Sequence, residues 1–212
     1  MRILPVLFLA ACATTTTTRP TGGPRGLRAD EHLDVAKHHD EMARDAAQGP
    51  RNTIAFPDAA PVPWLVSWDA GAEHERLAAV HRSRAGALQA AYDEACGDRP
   101  YADVSFSPIA RHATGGWNTS SGVILYLPTS AGPADRLIAE LKCHRAWMML
   151  QPAADMENCT LDLPGILLDA RGSGEGITLS IVVRDAKLVD ELHRRAAHDL
   201  ESGAHYRRQQ RE

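Results

Sequence analysis

Along this chain the spacing of apolar side chains changes from helical to alternating and back, and each rhythm predicts an element. Over residues 28 to 48, His32, Val35, Ala36, His39, Ala43, Ala46 and Ala47 share one stripe at three-to-four spacing, and Gly49-Pro50 stops it. That stripe is mostly alanine, so the helix gains little from burial and needs a partner. A second helix is expected from about 73 to 95, where Leu77, His81, Leu88, Tyr92 and Ala95 recur before Cys96-Gly97-Asp98. Residues 103 to 107 fit a short strand. Val123-Ile124-Leu125-Tyr126-Leu127 is a compact apolar run of the kind a buried strand shows. Gly132-Pro133 opens a helix through Leu150, with the proline suited to a first turn. Residues 165 to 171, a glycine-rich turn at 172 to 176 and the clean alternation of Ile177, Leu179, Ile181 and Val183 predict a hairpin. Asp185 then caps a last helix carrying Leu188, Val189, Leu192 and Ala196 on one side.

The resulting fold class is α+β: N-terminal helices followed by a small two-layer β-α-β-β-α sandwich, half of a ferredoxin-like unit lacking its last strand. A crossover through the helix at 133 to 150 would place 123–127 and 165–171 parallel in one sheet, with the hairpin strand to one side. Around this core the composition divides the chain. Residues 1–11 form an apolar leader, 12–27 a Thr/Pro/Gly-rich tether, and 28–48 the His-bearing helix. Residues 49–72 are a Pro/Trp linker with Trp64 and Trp68, 73–200 the α+β domain and 201–212 a polar tail expected to fray. Two exposed indoles would be an unusual apolar surface, so the linker is expected to lie across the domain.

The leader has one positive charge at Arg2, an apolar run and then Leu9-Ala10-Ala11-Cys12. It is too short to span a bilayer. Those last four residues resemble the lipobox of bacterial lipoproteins. The resemblance implies removal of residues 1–11 as a signal peptide and acylation of Cys12 as the mature N-terminus. Several acyl chains together anchor firmly where one holds only marginally. In enterobacterial lipoproteins an Asp after that cysteine favours the inner membrane. Ala13 stands there here, so the resemblance implies an outer-membrane lipoprotein facing the periplasm or the cell surface. The body is similar to uncharacterised lipoproteins of Gram-negative envelopes, which carries over no catalytic residue.

Charge sharpens this picture. The whole chain carries −4, and loss of Arg2 leaves −5, from 22 basic and 27 acidic side chains. An acidic, exported chain does not suit nucleic acid. Ten histidines, all in the mature chain, would move −5 to +5 if fully protonated. Three cysteines remain once Cys12 is lipidated, and an oxidising compartment favours one bridge and one spare thiol. A reversal after Leu150 would bring Cys159 alongside Cys143, the preferred pair. Cys96 is then the spare thiol or the alternative partner.

Candidate chemistry concentrates at Cys143-His144 and Met148, a Cys/His/Met group of the kind that binds zinc or copper. Neighbours on a helix point about 100° apart, so Cys143 and His144 do not clasp one ion easily. A metal set of His144, Cys96 and Met148 is the alternative to His144 as a hydrogen-bonded core residue with a depressed pKa. His32 and His39, like His74 and His81, are seven apart, about 10.5 Å along one helix and too far for both to bind one ion. His193 and His198, five apart, point to different faces, and His38-His39 are expected to be solvated on a charged helix. Residues 114–122, with Trp117 and Asn118, are a candidate binding loop, joined by Trp64 and Trp68. Gly172-Ser173-Gly174 sits in a hairpin turn rather than a strand-to-helix elbow.

Function therefore reads as a lipid-anchored, non-enzymatic binding or structural module contacting another envelope protein or polymer, with no cofactor. The alternatives are a periplasmic protein that binds or senses zinc or copper, and a hydrolase-type enzyme. A pocket gathering His112, His144 and a carboxylate would favour the enzyme.

Overall fold

The computed structural model describes residues 26–48, 69–152 and 156–209. The lipobox with Cys12, most of the tether, and Trp64 and Trp68 of the linker lie outside the described residues.

Two long helices, α1 (Ala29–Gln48) and α2 (Ala70–Cys96), form an antiparallel hairpin. Asp69 caps α2 by accepting from the Ala72 amide, so the helix begins three residues before the expected position. The seam is built from small residues: Ala36 and Ala43 of α1, and Ala78 and Ala85 of α2, are buried. A Cβ on Gly71 would meet the Ala43 carbonyl at 3.7 Å, which shows how closely the backbones pass.

Short helices α3 (Tyr101–Ser105) and α4 (Pro108–His112) follow. The segment 103–107 expected as a strand is helical through Ser105 and then links α3 to α4; Val104 is its only buried side chain and packs into the main core. The four strands are β1 (Gly115–Thr119), β2 (Gly122–Leu127), β3 (Ile166–Ser173) and β4 (Gly176–Val183), with α5 (Ala134–Met148) between β2 and β3. The sheet order is β1-β2-β4-β3, antiparallel throughout. The expected loop at 114–122 is thus mainly strand β1 and its turn into β2. β2 and β3 do run parallel in one sheet, but β4 is inserted between them rather than set to one side. The reason is polarity. β4 presents Ile177, Leu179, Ile181 and Val183 to the core, whereas β3 carries Asp169 and Arg171 exposed, and charges belong on an edge.

Helix α6 (Val189–Gln209) completes the chain. Leu192 and Ala196 of α6 join Leu137 and Leu141 of α5 and Leu125, Leu179 and Ile181 of the sheet in one core. The expected polar tail is instead helical to Gln209. Tyr206 stacks on Phe106 with ring centroids 4.7 Å apart, and Arg207 donates to the Ala110 carbonyl at 3.3 Å. Gly203 allows this approach, because a Cβ there would lie 2.0 Å from the Ala110 oxygen.

The hairpin is fixed to this core at both chain ends. Cys96, the last residue of α2, is bridged to Cys143 of α5. At the start of α1, the fully buried Arg28 donates to the carbonyls of Met148 and Gln151 and pairs with Asp162 at 2.7 Å.

Candidate functional site

The disulfide joins Cys96 to Cys143, not Cys143 to Cys159. α2 brings its last residue against the middle of α5, and both cysteines are at most 4% exposed. Cys159 is the free thiol among the described residues. The bridge also removes Cys96 from the metal set with His144 and Met148. Met148 is fully buried in the apolar core, so those three residues do not form a centre.

His144 is the core residue its helical position suggests. It stacks on Trp147 with centroids 5.4 Å apart, and its Nδ1–H donates to the Val104 carbonyl at 2.6 Å. That bond leaves Nε2 as the acceptor, and the Cys159 thiol lies 3.6 Å from it. The pair borders an open cleft of about 310 Å3 that also meets Ser107, His198 and Asp199. A cysteine, a histidine and an orienting carbonyl have the outline of an activated nucleophile. The electrostatics run the other way. Burial, followed by the Asp199 carboxylate, pushes the thiol up, and burial pushes His144 down from 6.5 to about 4. Both partners are thus held neutral, the opposite of a thiolate–imidazolium pair.

This has a consequence for acid stability. A group with a depressed folded pKa contributes stability above its unfolded pKa of 6.5, lost as pH falls toward about 4. At 1.36 kcal/mol per pH unit the loss across that window is roughly 3 kcal/mol. Asp162 and Asp199, raised chiefly by burial, act in the opposite sense, so the comparison with a variant is the measure. Urea unfolding at pH 7 and pH 4.5 should show a smaller acid-induced loss in His144→Gln than in the parent chain. Equal losses would mean that His144 does not titrate in this way.

His112 and His144 open into different clefts. His112 lies 3.6 Å from Glu140 in a cleft of about 420 Å3 with Arg99, Arg111, Arg136 and Asp103. Glu140 holds Arg136 at 3.1 Å and Arg99 at 3.9 Å, so the guanidiniums are largely engaged internally. The His112–His144–carboxylate pocket that would favour an enzyme is not assembled.

Trp117 and Asn118 lie on edge strand β1 and are both exposed. Trp117 is 46% and Tyr126 45% exposed, their rings 4.9 Å apart, on the sheet face opposite the helices. Leu167 of β3 adds a third large apolar side chain, 49% exposed, to the same face.

The arrangement that sequence reasoning missed is in the helical hairpin. His32 and His81 meet with Nδ1 atoms 2.9 Å apart, and His39 and His74 meet at 3.1 Å. The two histidines of one helix remain too far apart to share an ion. Each is paired instead with a histidine of the other helix, and His39, expected to be solvated, is half-buried in the seam. The signal was present: equal seven-residue spacings on two small-residue faces repeat one face twice and match each other when the helices run antiparallel. Among the described residues no three His, Cys, Asp or Glu side chains form a ready-made metal centre. His193 and His198 do diverge, the former bonding the Thr119 and Gly122 carbonyls at 3.2 and 3.0 Å.

Comparison with protein-family models, with curated proteins and with solved structures finds no match.

Proposed function

We propose that this chain is a lipid-anchored protein of the bacterial cell envelope, acting as a binding module that holds another envelope protein or polymer on the open face of its sheet. The observation that carries the reading is that face: Trp117 and Tyr126 stand exposed with their rings 4.9 Å apart, and Leu167 is exposed on the far edge strand of the same face, which is turned away from α5 and α6. Tyrosine and tryptophan combine large apolar area with a polar tip, which is why interfaces are enriched in them. The buried Cys96–Cys143 bridge accords with an oxidising compartment, and Leu9-Ala10-Ala11-Cys12 with export and acylation. Ala13 supports placement in the outer membrane. The tether would then hold the sheet off the bilayer.

Cells carrying a photo-activated crosslinker at position 117 should yield a discrete adduct in the membrane fraction, absent when the crosslinker sits at the exposed Lys37. Cys12→Ser should release the protein from membranes. A Ser variant that resists a detergent-free carbonate wash, or equal labelling from positions 37 and 117, would overturn the reading.

A further inference from the structure

We propose that the seam between α1 and α2 is a binding site for a divalent transition metal of the imidazole-preferring kind, Zn2+ or Cu2+, held by the cross-helix pairs His32/His81 and His39/His74. The site lies on the helical hairpin, away from the sheet face, and stands independently of the function proposed above.

Geometry carries it. Two imidazole nitrogens 2.9 or 3.1 Å apart share one hydrogen, one donating and the other accepting. That separation is also the one two ligands adopt around a single ion. With metal–nitrogen bonds of about 2.0–2.1 Å, ligand atoms are about 2.9 Å apart at a right angle and about 3.4 Å apart at the tetrahedral angle. Exchanging the shared proton for a metal therefore requires rotation of the rings and no movement of the helices. The helices are pre-positioned for this: Arg28 fixes the start of α1, and Cys96 fixes the end of α2.

The surroundings suit a cation with vacant positions. Each pair supplies two ligands, and water completes the sphere, or a third ring does. His39 has the rings of His74 and His81 at centroid distances of 5.3 and 5.9 Å, so it can serve either neighbour. Around the four rings stand the carboxylates Glu31, Asp40 and Glu73 and the cations Arg84, Arg82 and Arg76, with His38 alongside. Asp40 and Glu73 are ion-paired to Arg82 and Arg76, and Glu31 accepts from the Arg28 amide, so each nearby carboxylate already has a partner of its own. Neutral imidazole is the form that binds zinc and copper, copper the more tightly.

The test uses the chain with Cys12→Ser, which removes lipid and the N-terminal thiol. Added Zn2+ at 100 µM should raise the melting temperature by at least about 4 °C at pH 7.5 and by much less at pH 5, where protons compete. Bound Cu2+ should show nitrogen superhyperfine structure in its electron paramagnetic resonance spectrum. The double variant His32→Gln/His39→Gln, which takes one member from each pair, should lose both signatures while its far-ultraviolet circular dichroism stays native. His144→Gln should keep both. The single variants His74→Gln and His81→Gln should each weaken binding, which keeps the test valid if the double variant fails to fold. Absence of a melting shift with both metals, a copper spectrum without nitrogen coupling, or undiminished binding in the seam variants would overturn the proposal.

Discussion

Cys96→Ala/Cys143→Ala should unfold about 4 kcal/mol more readily than the parent chain. The bridge spans a sequence separation of 47 residues, and closing a loop of that size restricts the unfolded chain by about 4 kcal/mol in the entropy model. Both sulfurs are buried in the main core, so alanine leaves a small apolar void and no stranded polar group. A chain of this size loses about 2–4 °C of melting temperature per kcal/mol, so thermal unfolding with and without reductant should differ by roughly 8–16 °C. Peptide mapping under non-reducing conditions should recover one fragment pair containing Cys96 and Cys143, with Cys159 recovered as an alkylated free thiol. A bridge through Cys159, or a reduced protein as stable as the oxidised one, would contradict the pairing. Because the bridge ties α2 to α5, its loss should also loosen the histidine seam and reduce metal binding there.

Arg28→Met is the second large effect, expected to cost about 3–5 kcal/mol. Removing one partner of a buried ion pair leaves the other charge without compensation. Asp162 is 8% exposed, and Arg195, one of the cations that would remain near it, lies 3.8 Å away, farther than Arg28 at 2.7 Å. Burial already holds the Asp162 carboxyl above the ordinary range, with Arg28 the main opposing influence, so the variant should bind a proton there more readily. Arg28→Met also strips a donor from the carbonyls of Met148 and Gln151. The double variant Arg28→Met/Asp162→Leu should recover much of the loss, as apolar replacement of a buried pair commonly does. Urea denaturation of the two singles and the double closes the cycle. A single variant within 1 kcal/mol of the parent would show that the pair does not hold α1 in place.

Local periodicity carried far in this chain. The helices now seen at Ala29–Gln48, Ala70–Cys96, Ala134–Met148 and Val189–Gln209, and the apolar strands at Gly122–Leu127 and Gly176–Val183, were legible from spacing and caps. So was His144, because a histidine in line with Leu137, Leu141 and Met148 sits on the buried face of its helix. These features depend on neighbours within a few residues, which is the range over which side-chain rhythm reports. Residues 101–105 and 115–119 were misread for the same reason: five-residue segments carry too little rhythm to separate helix, strand and loop.

Everything requiring two distant segments to meet was settled by packing. Val104 turned inward on a helix, β4 took the centre of the sheet, and Gly203 admitted the end of α6 against Ala110. The cysteine pairing followed from where α2 ends, not from the loop after α5. The histidines are the clearest case. Within each helix a seven-residue spacing rules out a shared ion, and that conclusion stands. Only the antiparallel approach of two alanine-lined faces sets His32 against His81 and His39 against His74, because helix periodicity places a residue on a face but carries no information about which face it will meet.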